Sequence, residues 1–274
     1  MRLSRACAAA SCAAIATGGM AATSLAASGG IDTVAGTGIP GTVASGVATT
    51  SQLDTPSDVV ALPDGGFLVA DTANGRIRAV TPSGAVSTFS GGSTPSAATA
   101  LAAPLGLARE PGGGVLVSDG NRVMRIAGGS LTRVAGDAAA GSGGDGDAAL
   151  SARLNVPAGI AVLPSGGFVV ADMGNHRIRK VEHGRITTVA GRGAAGFAGD
   201  GGPATDAELR LPADVAVLAD GDLLVADMGN DRIRRVDDAT GTISTVAGGG
   251  ADEREGIPAT RAALAQPRAV APAA

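Results

Sequence analysis

Four aspartates recur at one position of a repeated sequence pattern, and an asparagine follows each of them within four residues. These pairs are Asp71 with Asn74, Asp119 with Asn121, Asp172 with Asn175, and Asp227 with Asn230. Carboxylate and amide oxygens are the ligands that Ca²⁺ prefers, so a ring of them could hold this ion. The same residue types also cap their own backbone in turns. Since every copy offers the same residues, we favour this structural interpretation and keep the eight side chains as candidate ligand contacts.

An arginine follows each asparagine and opens the next apolar segment. These arginines are Arg76, Arg122, Arg177 and Arg232. A guanidinium at this distance along a hairpin can pair with the aspartate across the turn. The sequence therefore predicts an ion pair between the aspartate and this first arginine in each copy.

His176 is one of two histidines in the chain and lies in the same loop of one copy. Gly75 and Asp231 stand at the matching position of two other copies, which is unlike a catalytic or metal-binding residue. His183, the other histidine, lies in a turn that we expect on the opposite face, so the two should not share a metal. We predict no catalytic residue and no metal site, and count His176 among the candidate ligand contacts.

Other motifs for catalysis or nucleotide binding fail on their context. "GRGAAG" (191–196) spells G-x-G-x-x-G, but no strand–helix–strand unit surrounds it. In "GSGGDGDA" (141–148), Ala148 stands where a calcium-binding glycine repeat needs aspartate. The single lysine, Lys180, belongs to no phosphate-binding loop, and no G-x-S-x-G occurs. The residues thus offer no complete catalytic constellation.

All these residues belong to a unit that the chain repeats with a period near 50. Each copy opens at a proline: Pro56, Pro104, Pro157, Pro212 and Pro267, spaced 48, 53, 55 and 55. Within a copy, four short apolar segments, named a to d, are separated by turns such as "LPDGG" (62–66), short enough for hairpins. Four-stranded antiparallel sheets of this kind bury both faces by stacking around an axis. The sequence predicts an all-β fold, a β-propeller.

We expect four complete blades, at about residues 56–91, 104–136, 157–191 and 212–248, in a propeller domain that covers 27–274. Residues 31–36 match only strand d of a unit, and residues 267–274 match only strand a. They are predicted as a lone N-terminal strand d and a lone C-terminal strand a. Because closed propellers avoid free strand edges, we expect an incomplete propeller whose natural form has five or six blades or more.

The stretch "VADMGNHRIRKV" (170–181) returns nearly unchanged as "VADMGNDRIRRV" (225–236), and "ITTVAG" (186–191) closes its unit. These motifs resemble the NHL repeat. The resemblance covers residues 31–271 and is weakest in the second unit, whose loop is shortened to "DGNRVMRI" (119–126). It implies propellers, commonly six-bladed, that usually bind proteins and in some branches nucleic acid or small ligands. Enzymatic propellers of related architecture, lactonase-like or amidating-lyase-like, place a metal on the axis at the face of these loops.

The first 26 residues are predicted as a cleaved signal peptide. Two arginines precede a charge-free stretch that reaches Gly30 and has too few large apolar side chains for a membrane span. The small residues Ser24 and Ala26 suit cleavage after Ala26. Cleavage would remove both cysteines, Cys7 and Cys12, and would take the formal net charge from −4 to −6. An acidic chain without Trp or Tyr is a poor nucleic-acid binder, so we expect no such partner.

The sequence therefore predicts a secreted or cell-surface, non-enzymatic propeller scaffold. It would bind a protein, peptide or glycan through its loop face, without a cofactor. The alternative is a calcium-dependent, lactonase-like hydrolase or lyase with an axial cation, and a third possibility is a spacer. Carboxylates from three blades converging on one point would favour the enzyme. Carboxylates bonded to their own arginines and backbone N–H groups would favour the binding protein.

Overall fold

The computed structural model describes residues 31–43, 46–91 and 100–272. Within these ranges the chain forms sixteen β-strands and seven short 3₁₀ turns, with no α-helix. None of its described helical turns has the length and apolar character needed to cross a membrane. The predicted signal peptide, residues 1–26, lies outside the described residues.

The strands form four antiparallel sheets, each a meander of four consecutive strands. Blade 1 contains β1 (Pro56–Ala61), β2 (Phe67–Asp71), β3 (Arg76–Val80) and β4 (Val86–Gly91). Blade 2 contains β5 (Pro104–Arg109), β6 (Val115–Asp119), β7 (Arg122–Ala127) and β8 (Ser130–Ala135). Blade 3 contains β9 (Pro157–Val162), β10 (Phe168–Asp172), β11 (Arg177–Glu182) and β12 (Arg185–Ala190). Blade 4 contains β13 (Pro212–Val217), β14 (Leu223–Asp227), β15 (Arg232–Val236) and β16 (Ile243–Gly248).

The 3₁₀ turns occupy the loops and the linkers between blades. They span Ala48–Thr50, Thr72–Asn74, Ala149–Ser151, Met173–Asn175, Ala204–Asp206, Met228–Asn230 and Ala259–Arg261. The predicted all-β propeller of four-stranded antiparallel blades is confirmed, with four complete blades.

The second strand of each blade is its most deeply buried element. All five residues of β6 and of β10 are buried, because both faces of these strands meet a neighbouring blade. Between blades 1 and 2, Leu68 and Ile77 pack with Val115 in one apolar cluster. A fully buried aliphatic side chain contributes about 1.5–3 kcal/mol. The interfaces between blades therefore hold the propeller together.

The first strands of the four blades pack on one another in chain order. β1 contacts β5, β5 contacts β9, and β9 contacts β13. The same four strands border a common cavity of about 310 Å³. β1 and β13 are thus the two ends of this row of inner strands.

Each described linker packs against the blade that follows it. In the linker before blade 3, the Gly146 N–H donates to Ile186 O at 2.8 Å, and in the next linker the Gly201 N–H donates to Ile243 O at 2.7 Å. Both acceptors lie on the last strand of the following blade. Leu154 and Leu209, near the ends of these linkers, are fully buried. These linkers are therefore hydrogen-bonded to the blade after them, while their 3₁₀ turns also contact the last strand of the blade before them.

The prediction of two lone terminal strands is wrong. Residues 31–36 and 267–272 form no strand, and the final two residues of the predicted C-terminal strand lie outside the described part of the chain. Ile31 is fully exposed, and the Val270 N–H donates to a side chain, Asp214 Oδ2, at 2.9 Å. A strand forms where a neighbouring strand supplies backbone partners. Among the described residues the Gly36 N–H donates to Ala48 O at 2.9 Å, but no strand of the four sheets pairs with either segment.

Candidate functional site

The aspartate that ends the second strand of each blade is completely buried and fixes where the first strand begins. The four residues are Asp71, Asp119, Asp172 and Asp227. In each, Oδ1 accepts backbone N–H groups from the chain entering its own blade: Asp54, Asn155 and Arg210 at 2.8 Å, and Ala102 and Ala103 at 2.6 and 2.8 Å. These carboxylates therefore face their own blade and not a shared point.

The asparagines tie the loops to the linkers. Nδ2 of Asn74, Asn175 and Asn230 donates to Gly41 O, Gly141 O and Gly196 O at 2.7, 2.6 and 2.7 Å, and to the aspartate of its own loop at 2.8 Å. Asn121, in the shortened loop, donates to Ala138 O at 3.3 Å. Internal hydrogen bonds thus occupy these amides. Their assignment as ligand contacts stays a prediction, and this geometry gives it no support.

The predicted arginine partner is wrong in blades 1, 3 and 4. There the aspartate contacts the second arginine of the strand: Asp71–Arg78 at 3.1 Å, Asp172–Arg179 at 3.3 Å and Asp227–Arg234 at 3.4 Å. Blade 2 has the expected pair, Asp119–Arg122, at 2.8 Å. Both arginines of a strand lie on one face, and a diagonal neighbour with a long side chain reaches the aspartate. Arg177, a first arginine, instead donates to the carbonyls of Ser142 and Arg192.

The second arginines of blades 3 and 4 are fully buried, and each bridges two carboxylates. Arg179 contacts Asp172 and also Asp145, which lies in the linker before its blade, at 2.8 Å. The equivalent residues of blade 4 are Arg234, Asp227 and Asp200, with 2.7 Å between Arg234 and Asp200. Sequence reasoning did not single out these linker aspartates. The signal was available, because both lie in a Gly-Asp-Gly triplet at the same distance before a blade.

In these ion pairs, the attraction between the charges offsets the cost of removing the aspartates from water. Burial raises the pKa of Asp172 and of Asp227, while hydrogen bonds from asparagine and backbone N–H groups and the nearby arginine oppose this rise. A buried charge of this kind is tolerated only when its partners remain in place. The repeated Asp–Asn–Arg groups therefore stabilise the loop and the start of the first strand within each blade.

His176 performs a related structural task. Its Nδ1 accepts the N–H of Leu211, the residue before the first proline of the next blade, at 3.1 Å. In the same way Asp231 Oδ1 accepts the Gln266 N–H, and Asn121 Oδ1 accepts the Val156 N–H. The residues capped in this way have a positive φ: 49° at Val156, 48° at Leu211 and 47° at Gln266. This backbone conformation is strained for any residue other than glycine. The cap holds this strained entry into the next blade.

Replacing His176 with alanine should lower the free energy of unfolding by about 0.5–1.5 kcal/mol, because the Leu211 N–H loses its acceptor. The control is His176→Asn, which should leave stability nearly unchanged, since Asn121 caps the equivalent N–H in blade 2. Urea unfolding followed by circular dichroism measures the difference. Equal stability of the alanine and asparagine variants would contradict the capping role.

No group of three or more His, Cys, Asp or Glu side chains placed to hold a metal occurs within 31–43, 46–91 and 100–272. Asp71, Asp119, Asp172 and Asp227 are therefore not brought together as a cation site. Each of these carboxylates bonds to arginine and to backbone N–H groups of its own blade and its entry segment.

A second acidic feature, absent from the sequence-based candidates, lies at the inner cavity. Asp58 on β1 and Asp214 on β13 both line it. Burial raises the pKa of Asp58 to about 6 and that of Asp214 to about 7, and the charge of Asp58 adds to the rise at Asp214. Each Oδ2 accepts an N–H from another inner segment, from Leu107 at 2.7 Å and from Val270 at 2.9 Å.

The four stacked antiparallel sheets, together with the loops that bond to the linkers, define a β-propeller. The family model described as "NHL repeat" matches residues 53–79 and 154–181, within blades 1 and 3. The chain therefore contains NHL repeats, and its four antiparallel sheets form a β-propeller.

Known relatives match one part of the chain. Human teneurin-4 is 36% identical over 100 residues, which is 31% of this chain and 4% of teneurin-4. The chloroplastic protein SUPPRESSOR OF QUENCHING 1 of Arabidopsis thaliana is 37% identical over 86 residues, 31% of this chain and 8% of that protein. The chain thus spans a small fraction of the length of these relatives.

Among solved structures, an auxiliary nutrient binding protein from Bacteroides ovatus has a similar fold. The TM-score is 0.59 at 18% identity, covering 79% of this chain and 54% of that protein. This likeness supports the propeller fold.

Proposed function

We propose that the chain is an exported, non-enzymatic binding propeller that recognises a protein, peptide or glycan at its loop face. The loop face consists of the loops between the second and third strands together with the linker segments beside them, such as residues 141–142 and 196–197. The observation that carries the proposal is the internal use of the repeated polar side chains. Each Asp–Asn–Arg group bonds within its own blade and linker. The repeated polar side chains are therefore used for structure, and we infer that the loop face acts as a binding surface. The fold of a nutrient binding protein is compatible with this role.

Two exposed apolar side chains mark where the loop face differs between blades. Phe197, in the linker before blade 4, is 42% exposed, and Val156, before blade 3, is 38% exposed. The guanidinium of Arg232 stacks on the Phe197 ring at 3.6 Å from its centroid. Aromatic and arginine side chains carry much of the free energy in binding interfaces. We therefore place the binding contact around Phe197 and Arg232.

The test immobilises the full chain and measures binding to an array of glycans and to a library of displayed peptides. Phe197→Ser should weaken the binding of any selected probe at least about tenfold, as expected for an interface anchor. The matched control is Leu150→Ser. Leu150 is equally exposed, at 47%, but lies beside the turn between the third and fourth strands of blade 3.

Equal loss of binding in the Phe197 and Leu150 variants would contradict the assignment of the binding site to the loop face. Calcium-dependent turnover of a lactone, with no probe bound, would overturn it in favour of the hydrolase alternative.

A further inference from the structure

His176 joins blade 3 to blade 4 through a hydrogen bond whose acceptor can take up a proton. Its Nδ1 accepts the Leu211 N–H at 3.1 Å, and Leu211 belongs to the segment that enters β13. Only an unprotonated ring nitrogen can accept, because the imidazolium ion carries a proton on both nitrogens. Imidazole is the side chain whose charge ordinarily changes between about pH 5 and pH 8. This link between two blades therefore depends on the protonation of one residue.

The other two segments that are capped in this way have acceptors that acid does not remove. Asn121 Oδ1 accepts the Val156 N–H at 3.2 Å, and Asp231 Oδ1 accepts the Gln266 N–H at 2.8 Å. An amide oxygen gains no proton in this pH range, and a carboxyl group keeps an acceptor oxygen even when it is protonated. Of the three capped segments, only the entry to blade 4 thus has an imidazole as its acceptor.

The bond from His176 holds a strained segment, whereas the blades on either side of it are held by apolar packing. Leu211 has a φ of 48°, a left-handed conformation that favours glycine. Ile178 of blade 3 and Val215 of blade 4 pack in one apolar cluster, and the burial of such side chains does not depend on pH. Loss of the bond should therefore open the entry segment locally and leave the two blades packed.

Within its own loop, His176 has one acidic and one basic neighbour, and both are engaged elsewhere. Asp172 is fully buried and bonds to Asn175 and Arg179. Arg177, which follows His176 in the chain, donates to backbone carbonyls. The loop therefore supplies no free carboxylate that would pair with a protonated ring.

The entry segment and the linker after blade 3 also border this loop. Arg210, beside Leu211, is exposed, and Arg192 of the linker forms an ion pair with Glu208. Across the described ranges, no carboxylate forms an ion pair with His176. A protonated ring would thus lose the Leu211 N–H without gaining a partner of opposite charge.

We propose that His176 is a pH-sensitive coupling between blades 3 and 4, closed when its ring is neutral and opened at the entry to blade 4 by acid. The closed entry requires the neutral ring, whereas the opened entry accepts either form. Proton binding therefore favours the opened entry. The contribution of the bond is present at about pH 8 and is lost as the pH falls towards about 5.

The test measures amide hydrogen exchange in the full chain by NMR. Protection of the Leu211 N–H, expressed relative to an unstructured peptide at the same pH, should fall at least about threefold between pH 8 and pH 5, as expected for the loss of one hydrogen bond. The Val156 and Gln266 N–H groups are controls within the same molecule and should keep their protection. A Leu211 response no larger than that of Val156 would overturn the proposal.

Two matched variants assign the response to one ring. His176→Asn retains an acceptor but has no titratable group, so the protection of Leu211 should be the same at both pH values. His183→Asn removes the other histidine from an exposed turn and should leave the response intact. A response that persists in His176→Asn, or one that disappears in His183→Asn, would refute the coupling. The comparison among the three amides of the parent protein holds even if a variant does not fold.

Discussion

Replacing Arg179 with methionine is expected to lower the free energy of unfolding by about 3–5 kcal/mol, the range for removing one partner of a buried ion pair. Arg179 and Asp172 are both fully buried, and Arg179 also joins the linker through Asp145. The variant leaves the Asp172 carboxylate buried without its cation. Urea unfolding at pH 8 measures the loss.

Two controls separate the buried charge from the loss of side-chain volume. Arg177→Met, on the same strand but bonded to carbonyls near the surface, should lower stability by about 1 kcal/mol. Arg179→Met combined with Asp172→Asn should recover most of the loss at pH 8, because no uncompensated charge remains buried and the other carboxylate, Asp145, is 45% exposed. A double variant as unstable as Arg179→Met alone would contradict this account.

The same variant should also respond to pH. Without Arg179, one influence that lowers the pKa of Asp172 disappears, so burial raises that pKa further. A folded-state pKa above the unfolded value adds stability at low pH and loses it as the pH rises. The deficit of Arg179→Met should therefore be smaller at pH 5 than at pH 8.

Gly159→Ala is expected to lower the free energy of unfolding by about 1–3 kcal/mol through overpacking. A Cβ at this position would lie 2.7 Å from the Cα of Asp214 and closer still to Oδ1 of that residue. Because both strands belong to the packed inner row, neither can move away freely. Thermal unfolding gives the size of the effect.

The matched control for this substitution is Gly143→Ala. Gly143 has no positive φ, and a Cβ added there would meet no atom within 4 Å. Its replacement should leave stability unchanged or raise it slightly, because alanine restricts the unfolded chain. Equal destabilisation by the two substitutions would mean that the close contact at Gly159 is relieved in solution.

The sequence predicted those parts of the fold that depend on local pattern. Short apolar segments, glycine turns and a period near 50 are enough to place four meanders, because each strand pairs with its neighbour in the chain. The terminal segments were mispredicted for the same reason. Residues 31–36 have the composition of a fourth strand, but pairing depends on a third strand beside them, and local composition does not report that.

The choice between two arginines also depended on distant residues. Arg177 and Arg179 lie on the same face of β11, so spacing alone does not select one of them. The selection comes from Asp145, which belongs to the linker and reaches Arg179 from 34 positions earlier in the chain. Asp58 and Asp214 were missed because the repeat pattern highlights residues that all units share. The available signal was a difference between units at this position, which holds aspartate in blades 1 and 4 and glycine in blades 2 and 3.

The bridge from the linker to the buried arginine bears on how such chains gain or lose blades. Asp145 and Arg179 come from one continuous stretch that begins at Gly136, after blade 2, and ends with β12. A gene duplication cut at the prolines that open the blades would separate each arginine from its linker carboxylate. A cut at the glycine closing the fourth strand would keep both on the same fragment. Recombination and blade grafting should therefore succeed at the glycine boundary and fail at the proline boundary, so that the heritable module is a linker followed by its blade.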